Sequence, residues 1–168
     1  ISRLRLGLLA CLGFCTSCTS DTSSPTPTWP SFVDMALVSG VDGIVRAGGS
    51  RKVDILEANT GGVAILDYDG DGDRDLFFVN GGTRAGDSHA TTAMLYRNDG
   101  TGQFADVSAE AGVDVEGWGM GVAVWDVDGD EWPDIYLTAW GPNTLLRNRG
   151  DGTFEALPRA AGAQDHRW

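Results

Sequence analysis

One nine-residue acidic run occurs twice in this chain, and it constrains the fold more than any other feature. The first copy is Asp67-Tyr68-Asp69-Gly70-Asp71-Gly72-Asp73-Arg74-Asp75, and the second is Asp126-Val127-Asp128-Gly129-Asp130-Glu131-Trp132-Pro133-Asp134. Both copies place Asp at positions 1, 3, 5 and 9. Carboxylates held this close repel one another, and a hard divalent cation removes the repulsion. Ca²⁺ takes six to eight oxygen ligands at sites of this kind. The expected side-chain ligands are Asp67, Asp69, Asp71 and Asp75 in the first loop and Asp126, Asp128, Asp130 and Asp134 in the second. A backbone carbonyl at position 7, from Asp73 and Trp132, completes each set. The competing interpretation is an acidic, solvated turn without metal, but regular acid spacing in two copies argues against it.

An EF-hand loop also begins D-x-D-x-D, yet it closes with a bidentate Glu at position 12 and lies between helices. Position 12 here is Phe78 in one copy and Leu137 in the other. The flanks are short apolar, β-branched or aromatic runs bounded by turn residues: Gly62–Leu66 and Leu76–Val79, then Gly121–Trp125 and Ile135–Thr138. Such runs predict strands, so each loop joins two strands.

The duplication continues downstream. Leu95-Tyr96-Arg97-Asn98-Asp99-Gly100-Thr101-Gly102-Gln103-Phe104 is matched by Leu145-Leu146-Arg147-Asn148-Arg149-Gly150-Asp151-Gly152-Thr153-Phe154, and each predicts a hairpin with a Gly-rich turn. A tail follows, Phe104 with Gly112 and Phe154 with Gly162, and a third tail stands alone at Phe32 with Gly40. The Phe-to-Gly spacing is eight in all three. The loops are 59 residues apart and the hairpins 50, so the first repeat carries nine extra residues. They fall in the polar stretch Gly81–Thr92, which predicts a surface loop. Four strands in each unit of about 50 residues point to β-propeller blades. One such sheet cannot bury both faces alone, and a ring of about four to eight blades supplies the neighbours.

The pattern Gly-Val-Ala-Ile-Leu-Asp-Tyr-Asp-Gly-Asp-Gly-Asp-Arg-Asp-Leu, from Gly62 to Leu76, followed by Leu95–Val107, resembles the FG-GAP/VCBS-type repeats of integrin α-like propellers. The longer arrangement, about residues 31–168, resembles the cartilage-acidic-protein-like group, often linked to an ASPIC/UnbV segment. In that group a Phe-x-Asp tail strand precedes the first repeat, as Phe32–Asp34 does here. The resemblance implies an all-β, seven-bladed propeller with calcium in the blade loops, of which this chain is an incomplete portion of about two blades. The ASPIC/UnbV segment would lie beyond Trp168. Glu131 departs from the commoner Gly at position 6 and puts the turn geometry of the second loop in question.

The expected organisation is a leader at 1–18, a Ser/Thr/Pro-rich tether at 19–30, an N-terminal strand segment at 31–60 suited to ring closure, repeat 1 at 61–113 and repeat 2 at 114–168. Arg3 and Arg5 ahead of an apolar run from Leu6 to Phe14 predict a secretory leader. Cys11, Cys15 and Cys18 are the chain's three cysteines, so the domain that follows has no disulfides. A Cys followed by a flexible stalk resembles a bacterial lipoprotein, with lipidation at Cys18 or Cys11. Simple secretion after Ser17 is the alternative. Either route predicts an extracytoplasmic protein, which suits weak calcium loops.

The formal charge is −12, but nine of the 24 acids are loop Asp residues. The acidity is therefore largely ligand charge. With a single Lys (Lys52) and no basic patch, nucleic-acid binding is not expected. No catalytic set stands out. His89 and His166 are the only histidines, and no Ser or Thr has a His at recognisable spacing. Glu57 suits either a functional role or a turn cap. The Trp residues are read mainly as blade packing, not as a carbohydrate platform. The expected function is a calcium-stabilised adhesion or binding scaffold for a protein or carbohydrate ligand, attached to a membrane only through a lipidated Cys. The alternative is a propeller-based enzyme, for example one acting on polysaccharide, with its catalytic residues beyond Trp168.

Overall fold

The structure is a computed structural model, and it describes residues 30–49, 51–82, 93–115 and 117–157. The leader, the cysteines, both histidines, Trp168 and all but Gly81 and Gly82 of the expected surface loop lie outside the described residues. The chain divides into two units at Val33/Asp34, and all of the regular structure among the described residues belongs to the second.

Eight strands form two four-stranded antiparallel sheets, each in simple sequence order. The first sheet contains β1 (Gly62–Leu66), β2 (Asp75–Val79), β3 (Met94–Asn98) and β4 (Phe104–Asp106). The second contains β5 (Trp118–Trp125), β6 (Asp134–Trp140), β7 (Thr144–Asn148) and β8 (Phe154–Ala156). These are two propeller blades, and they do not close into a ring. The acidic loops join β1 to β2 and β5 to β6. Register pairs Ala64 with Phe77 and Leu66 with Asp75; in the second blade Val122 pairs with Leu137 and Val124 with Ile135.

Strand alternation sends successive side chains to opposite faces. Ala64, Leu66, Phe77, Val79 and Leu95 of blade 1 share one apolar core with Val122, Val124, Ile135, Leu137 and Leu146 of blade 2. Phe77, Leu95, Ile135 and Leu146 are fully excluded from water. On the other face of blade 1, Val63 and Ile65 are exposed, and on the other face of blade 2 so is Trp125. Hydrogen bonds to backbone carbonyls tie the blades together: the Gly119 amide donates to the Asn80 carbonyl at 3.1 Å, and the Thr60 hydroxyl donates to the Gly119 carbonyl at 2.6 Å.

The constant Phe-to-Gly spacing has a structural cause. After β4 the chain makes one helical turn, α1 (Ser108–Ala111), capped by Gly112 at φ 69°. Ala111, Gly112 and Val113 donate to the carbonyls of Val107, Ala109 and Ser108. The N-terminal segment repeats this turn: Ser39, Gly40 and Val41 donate to Met35, Leu37 and Ala36, with Gly40 at φ 88°. A left-handed residue ends the turn in both places, a conformation that Gly adopts without a Cβ penalty. Asp34 and Asp106 each accept the amide two residues on, at 3.0 and 2.9 Å.

The strand expected within residues 31–60 is not formed among the described residues. A strand needs a ladder partner, and no described strand pairs with Phe32–Met35. Residues 51–60 instead carry a short 3₁₀ turn, Ile55–Ala58. Trp118 is buried as blade packing requires, whereas Trp125 and Trp140 stand exposed among the described residues.

Candidate metal centre

Each acidic loop closes on its own first aspartate. In loop 1 the Asp67 carboxylate accepts the amides of Gly70 at 2.8 Å and Gly72 at 3.1 Å. In loop 2 Asp126 accepts those of Gly129 at 2.7 Å and Glu131 at 2.9 Å, with Asp130 at 3.2 Å. The position-5 aspartates, Asp71 and Asp130, each accept the amide of position 7, from Asp73 and Trp132, at 2.9 Å. The two loops thus share one hydrogen-bond scheme. Glu131 preserves it by adopting φ 73°, close to the 93° of Gly72, so the departure at position 6 is absorbed as local strain.

Position 9 plays a different part. Asp75 and Asp134 are fully buried at the ends of β2 and β6. Asp75 accepts the amides of Tyr68 at 3.1 Å and Asn98 at 2.9 Å, and Asp134 those of Val127 at 2.9 Å and Asn148 at 2.8 Å. Each carboxylate therefore pins its loop to the third strand of its blade.

The folded chain brings Asp67, Asp69 and Asp71 together, and likewise Asp126, Asp128 and Asp130, each with carboxylate oxygens within 4.8 Å of one another. Asp75 and Asp134 fall outside these groups, but a carboxylate has about four lone-pair sites, and two amides leave some free. Such groups suit a hard cation. Asp69 Oδ1 is buried and has no hydrogen-bond partner, as an oxygen reserved for an ion would be. Burial and the adjacent Asp71 carboxylate push Asp69 above the ordinary aspartate range, against the pull of the Asp71 amide and Arg97. Burial does the same to Asp75. Asp126 is more exposed, and the Glu131 amide above all holds it below that range.

Arg147 and Asn148 were not singled out in the sequence as site residues, and Trp132 only for its backbone carbonyl. Arg147 approaches Asp128 at 3.9 Å and pairs more closely with Glu155 at 3.3 Å; all three are partly exposed, so the ion pairs contribute little. Asn148 donates to the Tyr68 carbonyl, and the Trp132 indole lies over Gly70 of the other loop. The signal available for the first two was the Arg-Asn pair repeated at 97–98 and 147–148. Glu57 resolves as a cap: its buried carboxylate accepts the amides of Val53 at 2.6 Å, Asp54 at 3.0 Å and Gly49 at 3.2 Å.

Family comparison matches the FG-GAP-like repeat at residues 67–137 and again at 126–168. The chain belongs to the FG-GAP-like repeat family. The two matches start at Asp67 and Asp126, the first residues of the two loops. Over 61 residues the chain is 44% identical to cartilage acidic protein 1 of Homo sapiens. That match covers 36% of this chain and 9% of the human protein. No helix among the described residues is long and apolar enough to cross a membrane.

Proposed function

We propose that this FG-GAP-like chain forms calcium-binding blades of an extracytoplasmic β-propeller, in which the ions are structural and the propeller is a non-enzymatic binding or adhesion scaffold. The observation that carries the proposal is the pair of loops with one hydrogen-bond scheme and three converging carboxylates each. Asp67, Asp69, Asp71 and Asp75 would hold one ion, and Asp126, Asp128, Asp130 and Asp134 the other, with the Asp73 and Trp132 carbonyls at position 7. Calcium there neutralises crowded carboxylates and fixes the β1–β2 and β5–β6 connections. Family membership supports the scaffold, and the leader-like residues 1–18 support an extracytoplasmic location, free or held by a lipid on Cys18 or Cys11. The ligand class is a protein or a carbohydrate.

Isothermal titration of the chain with Ca²⁺ tests this directly. Two binding events are expected, and Asp67→Ala and Asp126→Ala should each remove one. Unchanged stoichiometry in both variants rules out the ligand assignment. Binding to the folded state alone raises the melting temperature, by about 2.7 kcal/mol of stability per site at a hundredfold excess over Kd. A chelator that leaves the melting temperature of the Ca²⁺-supplemented protein unchanged would sink the structural role.

A further inference from the structure

Loop 1 is not held by its own blade alone. Asn148, on β7 of blade 2, donates its side-chain amide to the Tyr68 carbonyl at 2.8 Å. Trp132, at position 7 of loop 2, lies over Gly70: a methyl placed on Gly70 would come within 2.8 Å of the indole Cη2. The same indole is backed by the hairpin turn of its own blade, where a methyl on Gly150 would lie 2.7 Å from Nε1. Blade 2 thus grips loop 1 at Tyr68 and at Gly70. Between those two residues is Asp69, whose Oδ1 is buried without a partner. The equivalent residue of Trp132 in loop 1 is Asp73, which lies over Gly100 of its own hairpin turn. Tyr68 is 4% exposed, whereas its counterpart Val127 in loop 2 is 42% exposed, so among the described residues nothing grips loop 2 in the same way.

We infer that Trp132 is a positioning residue for the cation of loop 1, so that a metal site in one blade is completed by the blade that follows it. This rests on the calcium reading of the loops. Residues that orient a ligand from behind set metal affinity, and losing one typically costs about 10–100-fold. Trp132 serves both loops through different atoms: its carbonyl belongs to loop 2 and its indole to loop 1. Replacing the side chain therefore separates the two functions. It follows that loop 1 binds Ca²⁺ more tightly than loop 2 in this chain.

The test is Ca²⁺ titration of the whole chain with one loop disabled at a time. In the Asp126→Ala chain, Trp132→Ala should weaken loop 1 about tenfold, and Trp132→Phe should keep most of the affinity. In the Asp67→Ala chain, Trp132→Ala should leave loop 2 within about twofold, because the carbonyl remains. With both loops intact, the two-site isotherm should show the loss in the tighter event only, which serves if either aspartate variant fails to fold. Loop 1 affinity unchanged by Trp132→Ala overturns the inference. So does equal weakening of both loops, which marks a general loss of stability. Calcium binding by neither single-loop chain rejects the calcium reading and this inference with it, whereas binding by both that ignores Trp132→Ala rejects the inference alone.

Discussion

Asn148 and Tyr68 are 80 residues apart in sequence, and the side-chain amide of one donates to the backbone carbonyl of the other at 2.8 Å. Both residues are buried, so the bond is made away from water at the seam between two blades. Tyr68 also stacks on Phe154 of blade 2, with ring centroids 6.2 Å apart. One loop residue therefore offers blade 2 both a hydrogen-bond acceptor and an aromatic face.

Asn148→Ala should destabilise the chain by about 1–3 kcal/mol, because it leaves the buried Tyr68 carbonyl without a donor. Urea unfolding followed by far-ultraviolet circular dichroism measures it. A loss under about 0.5 kcal/mol would show that the bond does not hold the seam.

Glu131→Gly should stabilise the protein by about 1 kcal/mol, because it removes a side chain from a left-handed backbone position. Glu131 is at φ 73° while Gly72 holds the matching place in loop 1 at 93°. Chemical denaturation in chelator isolates the backbone effect from any change in ion binding. Destabilisation on that substitution would mean that the Glu131 side chain makes a contact worth more than the strain.

Asp75→Asn should cost about 1–3 kcal/mol even without calcium. One carboxylate oxygen becomes an amide nitrogen, which cannot accept from Tyr68 or Asn98. Asp134→Asn should behave alike, for the amides of Val127 and Asn148. Equal stability of wild type and both variants in chelator would confine position 9 to metal binding.

The hairpin turns carry a pH signature. Asp99 and Asp151 lie below the ordinary aspartate range, each chiefly through the hydroxyl of the Thr two residues on, Thr101 and Thr153. Those bonds favour the charged carboxylate in the folded state. Their contribution is present above the ordinary aspartate pKa and is lost as pH falls through the lowered folded value. Nuclear magnetic resonance titration of Thr153→Val should move Asp151 back upward, and an unmoved midpoint would discount the hydroxyl.

What was legible in the sequence was local. The apolar runs at 62–66 and 76–79 became β1 and β2, and the carboxylates at positions one, three and five of each loop converge. The constant interval from Phe to Gly was visible, yet its cause, a single helical turn ending in a left-handed Gly, was not. Four residues such as Ser108–Ala111 carry no helical period. Trp132 shows the deeper limit. Its place at position 7 was readable from neighbouring residues, but its indole meets Gly70 only because two sheets pack face to face. Contacts of that kind depend on where blade 2 lies, which no short window of sequence contains. The segment at Phe32 shows the converse: it reads as a strand, but a strand forms only against a partner.

The two surfaces that meet between the blades are not the same surface. Blade 1 contributes Ala64 and Leu66, and blade 2 contributes Val122 and Val124, which correspond in the repeat to Val63 and Ile65. The contact is therefore heterologous, and it lacks the two-fold symmetry that lets an association satisfy itself in a single step. Each further copy added in this way presents the same pair of unmet surfaces at its ends. Stacking of this kind has no internal stop, and what ends it is geometry: the rotation per blade either brings the first surface round to the last, or the series continues as a fibre.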